Sequence, residues 1–353
     1  MSISFIGDTF ESTNRVQTGC QSLDWSLADS LGSIGIPLKS TFEVYGGKNS
    51  GKTTFCLSLQ GMIAKKLQKN ITILDWEGQS KETIEGILSH QGFTGQVNYL
   101  LNKGSETSEE TLERFCNDLL DDDWNVAMMD SIEGFRPTAL MEGNIGDANM
   151  GVFARELGQF VNKLTHITLR SENPGITFLT NHFHPTIGGM VQGQDTPGGV
   201  RKKALCHVRI NLKRAFFQTL TQEKQKKGGR TCDFGESWLI NGKIDSNRFG
   251  FSQRNFYVFL VGGEGIHVGL TAMWECLRNE IATLSAASFA EGTKVSMDGV
   301  EFGKLGNIIK NRNEEPEMFV PFINALRSES VETPMDESEE VEDNEPKKKG
   351  KRK

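Results

Sequence analysis

The chain predicts an α/β fold with a mostly parallel central sheet, organised as a phosphate-binding core. Three observations carry this. The stretch Gly46-Gly47-Lys48-Asn49-Ser50-Gly51-Lys52-Thr53 follows a short apolar run, residues 42–45, and precedes a helical pattern over residues 54–66. Short buried-type strands then alternate with helical stretches, which is the text of a parallel sheet with helical crossovers. The length, 353 residues, suits one extended domain with a small appendage, or two ordinary domains.

The eight-residue stretch has Walker A spacing. Glycines let successive N–H groups curl round a phosphate, Lys52 reaches the outer phosphates, and Thr53 offers a hydroxyl to Mg²⁺, while the helix that follows turns its N-terminus to the anion. A Gly-rich turn with no ligand is the plain alternative. Residues 71–77 read as the next strand, ending in Asp75-Trp76-Glu77. A carboxylate at the carboxyl end of such a strand stands where it can orient or deprotonate water, so Glu77 is a candidate base. A surface helix over 109–121 precedes the strand 125–131, whose Asp130 has the place of a Walker B acid that holds the Mg²⁺ shell. A helix over 152–168 and a fourth strand over 175–180 follow, with Asn181-His182 at its carboxyl end.

Composition narrows the setting. The six cysteines form no C-x-x-C pair and no His/Cys ligand spacing, which argues against a zinc site or a disulfide framework and for a reducing compartment. No apolar run approaches a membrane span, and the first residues lack a signal-peptide pattern. Net charge is −7, yet its distribution matters more than its sum. Residues 328–346 hold nine acids and no base, and the end reads Lys347-Lys348-Lys349-Gly350-Lys351-Arg352-Lys353, which predicts a disordered, charge-segregated tail. Bases cluster over 201–230, where a nucleic-acid footprint would lie. Residues 141–151 read as a Gly-punctuated loop, and 185–199, with five glycines and almost no bulky apolar residue, buries too little to offset its ordering entropy and is expected to be a functional loop that orders on binding, with an inert insertion as the alternative.

Together these residues resemble the RecA-type homologous recombinases, bacterial RecA and the phage strand-exchange proteins, over roughly residues 16–326. The most specific matches are Glu142-Gly143-Asn144-Ile145-Gly146-Asp147 with Met150-Gly151, similar to the family's first DNA-binding loop, and Ile187-Gly188 through Gly198-Gly199, similar to the second. The P-loop with its strand and Gly263-Glu264-Gly265-Ile266 also look like the family's. The resemblance implies a RecA-like P-loop NTPase core with a small C-terminal α/β domain: an arm over 1–15 with Phe5, Ile6 and Phe10 for docking on a neighbour, a core over 16–266, a small domain over 267–327 and the charged tail over 328–353. ATP and Mg²⁺ are implied as cofactors. Gly46, Gly47, Lys48, Asn49, Ser50, Gly51, Lys52, Thr53 and Thr54 would bind nucleotide, Thr53 and Asp130 the metal, and Lys52, Glu77 and His182 would act in catalysis. His182 stands where bacterial RecA has a γ-phosphate-sensing glutamine, and the phage proteins share Asn-His there. A strand-capping structural histidine is the alternative. Lys203 matches a lysine that reaches the neighbouring subunit's ATP, and Arg248, or Lys243 under another alignment, would be a second cation in trans. Asn144, Ile145, Gly146, Met190, Gly198, Gly199, Arg201, Lys202 and Arg209 are the implied DNA contacts. Gly262 and Lys81 replace the family's adenine-side aromatic and aspartate, and Lys48 replaces an acid.

The implied activity is a DNA-dependent ATPase that forms helical filaments on single-stranded DNA and pairs it with a homologous duplex, working with loading mediators and a single-strand-binding protein and without a membrane. A hexameric motor and a non-catalytic ATP-binding mediator are the alternatives. The setting is cytoplasmic, in a bacterium or a phage-infected cell, although the terminal Lys/Arg cluster would also serve as a nuclear import signal.

Overall fold

The computed structural model describes residues 14–102, 106–142, 151–170, 175–185, 194–215, 233–234, 237–286 and 292–328. Strand β1 (Ser40–Gly46) is buried along its whole length, as a central strand covered on both faces must be. It leads through the P-loop into α1 (Lys52–Leu67). Next come β2 (Ile71–Asp75), α2 (Lys81–His90), β3 (Val97–Leu101), α3 (Ser108–Asp118) and β4 (Val126–Asp130). Helix α2 starts where the Ser80 hydroxyl accepts from Thr83 N, and α3 starts in a reciprocal Thr107–Glu110 capping box. Then follow α4 (Val152–Arg170), β5 (Ile176–His182), α5 (Gly199–Leu205), β6 (Val208–Arg214), β7 (Ser237–Asn247) and β8 (Arg254–Val261).

The main sheet runs, from one edge, Gly265–Ile266, β8, β7, β6, β1, β5, β4, β2, β3. The six strands from β6 to β3 are parallel, and β7, β8 and the edge pair form an antiparallel wing. The expected mostly parallel sheet is therefore present, with a wing and an edge strand, β3, that the sequence pattern did not single out. Successive residues of the parallel strands serve opposite layers. Ile71 and Ile73, Val126 and Met128, and Ile176 and Phe178 pack with α1 and α2. Leu74, Ala127, Met129 and Leu179 pack with α3 and α4 on the other face. The result is a three-layer core whose parallel strands all end on the P-loop side.

The C-terminal segment carries a second sheet, β9 (Ala282–Leu284), β10 (Lys294–Met297) and β11 (Val300–Lys304), with α6 (Val268–Arg278), α7 (Leu305–Lys310) and α8 (Val320–Ser328). Its core, centred on Trp274, Phe319 and Phe322, is continuous with Leu239, Tyr257 and Phe259 of the wing. The antiparallel wing thus serves as the seat of this unit. Most of the expected arm and nearly all of the charged tail lie outside the described residues. Among the described residues no helix is long and apolar enough to cross a membrane.

Candidate nucleotide site and its flanking segments

Strand β1 ends in Gly46, and five residues carry the chain to α1. Asn49 and Gly51 both have left-handed backbone, φ 59° and 85°, which turns consecutive N–H groups towards one concavity. At Gly51 a Cβ would lie 2.6 Å from Leu260 Cδ1, so both backbone and packing demand glycine there. The sixteen-residue helix α1 begins at Lys52, so Lys52 and Thr53 stand in its first turn with Thr54 behind them.

Lys52 is 6% exposed. Its ammonium donates to Gly47 O at 2.9 Å and Gly46 O at 3.3 Å and lies 3.3 Å from His182 Nδ1. Burial lowers its pKa, opposed by Asp130 and Glu77. Since an ammonium only donates, His182 Nδ1 is the acceptor, which puts the imidazole proton on Nε2. Nε2 faces Glu77 Oε1 at 3.6 Å, too far for a hydrogen bond but close enough for attraction.

The acids are placed by turns at adjacent strand ends. The Asp75 carboxylate accepts from the backbone N–H groups of Glu77 and Gly78 at 2.7 and 2.9 Å and also from Gln79 N, which fixes the bend that presents Glu77. Ser131 Oγ donates to Glu77 Oε1 at 2.6 Å. Thr53 Oγ1 donates to Asp130 Oδ2 at 2.7 Å, and Thr180 donates to Asp130 Oδ1. Burial pushes the Asp130 carboxyl up to about 6, with Glu77 and Asp75 adding to the shift and the two threonine hydrogen bonds opposing it. A divalent cation beside it would reverse that shift.

Lys52, Thr53, Glu77 and His182 line one open cleft of about 630 Å³, with Lys48, Asn49, Ser50, Gly51 and Thr54 on its P-loop wall, and Asp130 stands behind Thr53, which bonds it. Gln79, Glu133, Arg214 and Trp238 also line it, and the sequence pattern had pointed to none of them. Arg214 donates to Asn49 O at 3.0 Å and lies 5.0 Å over the Trp238 ring, so the wing contributes a wall. The donor set fits the implied ligands: a hydroxyl and a carboxylate, both hard oxygens, for Mg²⁺, and loop N–H groups with Lys52 for phosphate. The buried Ser50 hydroxyl, which has no hydrogen-bond partner among the described residues, is one more polar group available to a phosphate.

The residues expected on DNA divide. Asn144, Ile145, Gly146 and Met190 lie outside the described residues. Arg201 and Gly199 are exposed at the start of α5. Lys202 is not: it is fully buried, and its ammonium pairs with the buried Glu43 carboxylate and donates to Thr196 Oγ1 at 3.0 Å. Arg209 also bonds Glu43, at 2.7 Å, and covers the Tyr45 ring at 4.7 Å. The cause is Glu43, a charge in the middle of a fully covered strand, which must be compensated where it stands. Gly198 is likewise buried, the left-handed cap of α5, where a Cβ would lie 2.4 Å from Leu157 Cδ2. It is a packing glycine. The expected backbone grip by Lys202 is therefore corrected, since its ammonium is sealed against Glu43, while Arg209 keeps a partly exposed side chain.

Lys203 and Arg248 sit at the far end of the sheet from the P-loop. Asn247 pairs with Val208, and Val208 with Phe42, whereas Gly46 pairs with Leu212 and His182. Four residues of strand separate the two ends, roughly 13 Å. The exposed Arg248 bonds Ala204 O, which brings it beside Lys203 and away from this chain's own cleft. Lys243, in mid-strand, lies 4.0 Å from Asp245.

A Walker loop feeding a helix, two strand-end acids and a third strand end bearing a histidine define a P-loop nucleotide-binding protein. A family model described as the RecA N-terminal domain matches residues 2–232, and the chain belongs to the RecA family of recombinases. It is similar to Protein RecA of Sulfurovum sp. (strain NBC37-1), 29% identical over 314 residues that cover 85% of this chain and 81% of that one. It is also similar to Protein RecA of Haemophilus ducreyi, 28% identical over 340 residues covering 94% and 82%. The crystal structure of the RadB recombinase matches with a TM-score of 0.47 and 21% identity, over 71% of this chain and 97% of that one.

Proposed function

We propose that the chain is a DNA-dependent ATPase that polymerises on single-stranded DNA and carries out homologous pairing and strand exchange. The observation that carries this reading is the convergence of Lys52, Thr53, Glu77 and His182 on one cleft, with Asp130 bonded to Thr53 behind it, in a member of the RecA family. ATP would be held by the P-loop and Lys52, with Mg²⁺ on Thr53 and the Asp130 shell. The ion supplies charge neutralisation on the phosphates. Glu77, held by Ser131, orients and deprotonates the attacking water. His182, with its proton on Nε2, donates one hydrogen bond to an outer phosphate oxygen if the ring turns from Glu77.

The division of the sheet into two ends supports assembly. Lys203 and Arg248 cannot reach their own cleft, so they are proposed as the cations one protomer supplies to the next, an arginine-finger role for Arg248. The proposed layout is an ATPase core over 16–266 and a small unit over 267–327 seated on the wing. Exposed Arg201 and Gly199, with the two Gly-rich stretches, are the proposed DNA contacts. Affinity would then fall with salt and depend little on sequence. Loading mediators and a single-strand-binding protein are proposed partners, and the bacterial relatives suggest a cytoplasmic setting.

The test is joint-molecule formation and ATP turnover, with and without single-stranded DNA, by the wild type and by Lys52→Ala. DNA-stimulated turnover and D-loops in the wild type alone are expected. Closed rings in electron micrographs, with no pairing, would favour the motor instead.

A further inference from the structure

Strands β1 and β5 carry a second charged cluster, on the face away from the cleft, and it has no part in the chemistry above. Its centre is Glu43, fully buried in β1. One carboxylate oxygen accepts from Asn181 Nδ2 at 2.8 Å and pairs with Lys202, and the other accepts from Arg209 Nε at 2.7 Å. Lys202 and Arg209 both also reach Thr196 Oγ1, at 3.0 and 3.4 Å. Asn181 Nδ2 also donates to Pro197 O at 3.2 Å, and Asn181 Oδ1 accepts from the backbone N–H of His182 at 2.9 Å. One carboxylate thus holds, through two short chains of bonds, the residue that faces Lys52 in the cleft and the segment Thr196-Pro197.

We propose that Glu43 is a positioning residue through which the setting of His182 in the nucleotide cleft fixes Thr196 and Pro197, and so couples nucleotide to DNA affinity. The inference rests on the function proposed above. His182 and Asn181 are consecutive in β5 and face opposite ways, so a change in the backbone at His182 moves the Asn181 amide. That amide is shared between Glu43 and Pro197, with little slack in a sealed site. A charge pair in such surroundings has few alternative arrangements, because each costs an unpaired buried charge. Lys202 and Arg209 outweigh the effect of burial and keep Glu43 ionised, so the hub holds its bonds across ordinary pH.

The test uses the full chain and a fluorescent oligo-dT, measuring its Kd with Mg·ATPγS and with Mg·ADP. The wild type should bind at least tenfold more tightly with ATPγS. Asn181→Ala leaves Glu43, Lys202 and Arg209 paired and should keep the fold, with ATPγS affinity in the absence of DNA within threefold of wild type. Its ATPγS-to-ADP ratio should fall at least fivefold, within the range of ordinary allosteric couplings. The double variant Glu43→Gln/Lys202→Met, which removes both charges, should behave in the same way. A folded variant of either kind that keeps the full ratio overturns the proposal, as does one whose nucleotide affinity falls in step with the ratio. If the double variant does not fold, Asn181→Ala decides alone. A wild type whose Kd ignores the nucleotide, or that binds no DNA, sinks the functional reading itself, which separates that failure from the failure of the hub.

Discussion

Two lysines near the start of glycine-capped helices show how the same side chain is put to opposite uses on the two sides of one strand pair. Lys52 follows Gly51, and its ammonium meets two loop carbonyls and a histidine ring, none of them a full counter-charge at contact. Lys202 follows Gly198 and meets the Glu43 carboxylate directly. A cation partly desolvated among dipoles keeps most of its attraction for an incoming phosphate. A cation already neutralised in a sealed site has none to offer. Reactivity in this molecule therefore follows from what a charge lacks at its own position, and the buried cluster is stable because it lacks nothing.

That contrast can be broken experimentally. Glu43→Gln alone strands Lys202 without its counter-charge, and urea unfolding should show a loss of about 3–5 kcal/mol. The added Lys202→Met change should restore part of it, because it removes the fully buried cation and leaves only the partly exposed Arg209 without its counter-charge. Lys52→Ala should do the reverse, lowering ATP turnover by roughly 10²–10³-fold in a phosphate-release assay with the thermal midpoint little changed. A third case lies away from both clusters. Burial pushes the Glu275 carboxyl up to about 7, against hydrogen bonds from Ser22. The folded state then holds a proton that the unfolded chain releases near pH 4, so stability falls as pH rises from about 4 to 7. Glu275→Gln should recover on the order of 2 kcal/mol at pH 8 and almost nothing at pH 4, read from denaturation curves at the two pH values. Gly198→Ala should cost about 1–2 kcal/mol, from the clash with Leu157 and the left-handed backbone. Smallest is Arg201→Ala, an exposed change that should leave stability alone and lower the salt slope of DNA binding by about 1.

The elements most legible in the sequence were those with a local code. The P-loop and the strands bearing Glu77 and Asp130 were found within a residue or two, because apolar runs and turn residues mark strand ends whatever the rest of the chain does. His182 was expected just beyond β5 and proved to be its last residue, a small error with the right consequence. The wing was less legible: β7 alternates Leu239, Ile240 and Ile244 with Asn241, Lys243 and Asp245, and such mixed text shows a strand only once its antiparallel partners are known. The burial of Lys202 is hidden in the sequence for a related reason. Three bases in a row, Arg201, Lys202 and Lys203, look alike in one dimension, but a helix turns each to a different side. The signal that would have found the correction was Glu43, a carboxylate inside an apolar strand, which had to have a cation somewhere.

The amino-acid order by itself settled the phosphate chemistry, since eight consecutive residues, with the helix they open, contain all the backbone geometry that a phosphate cradle requires. Only the folded chain decided which charges remain available to a ligand and which are spent on one another. Compensation of a buried carboxylate is a contest among residues more than 150 positions apart, and its outcome depends on which of them the sheet brings within 3 Å.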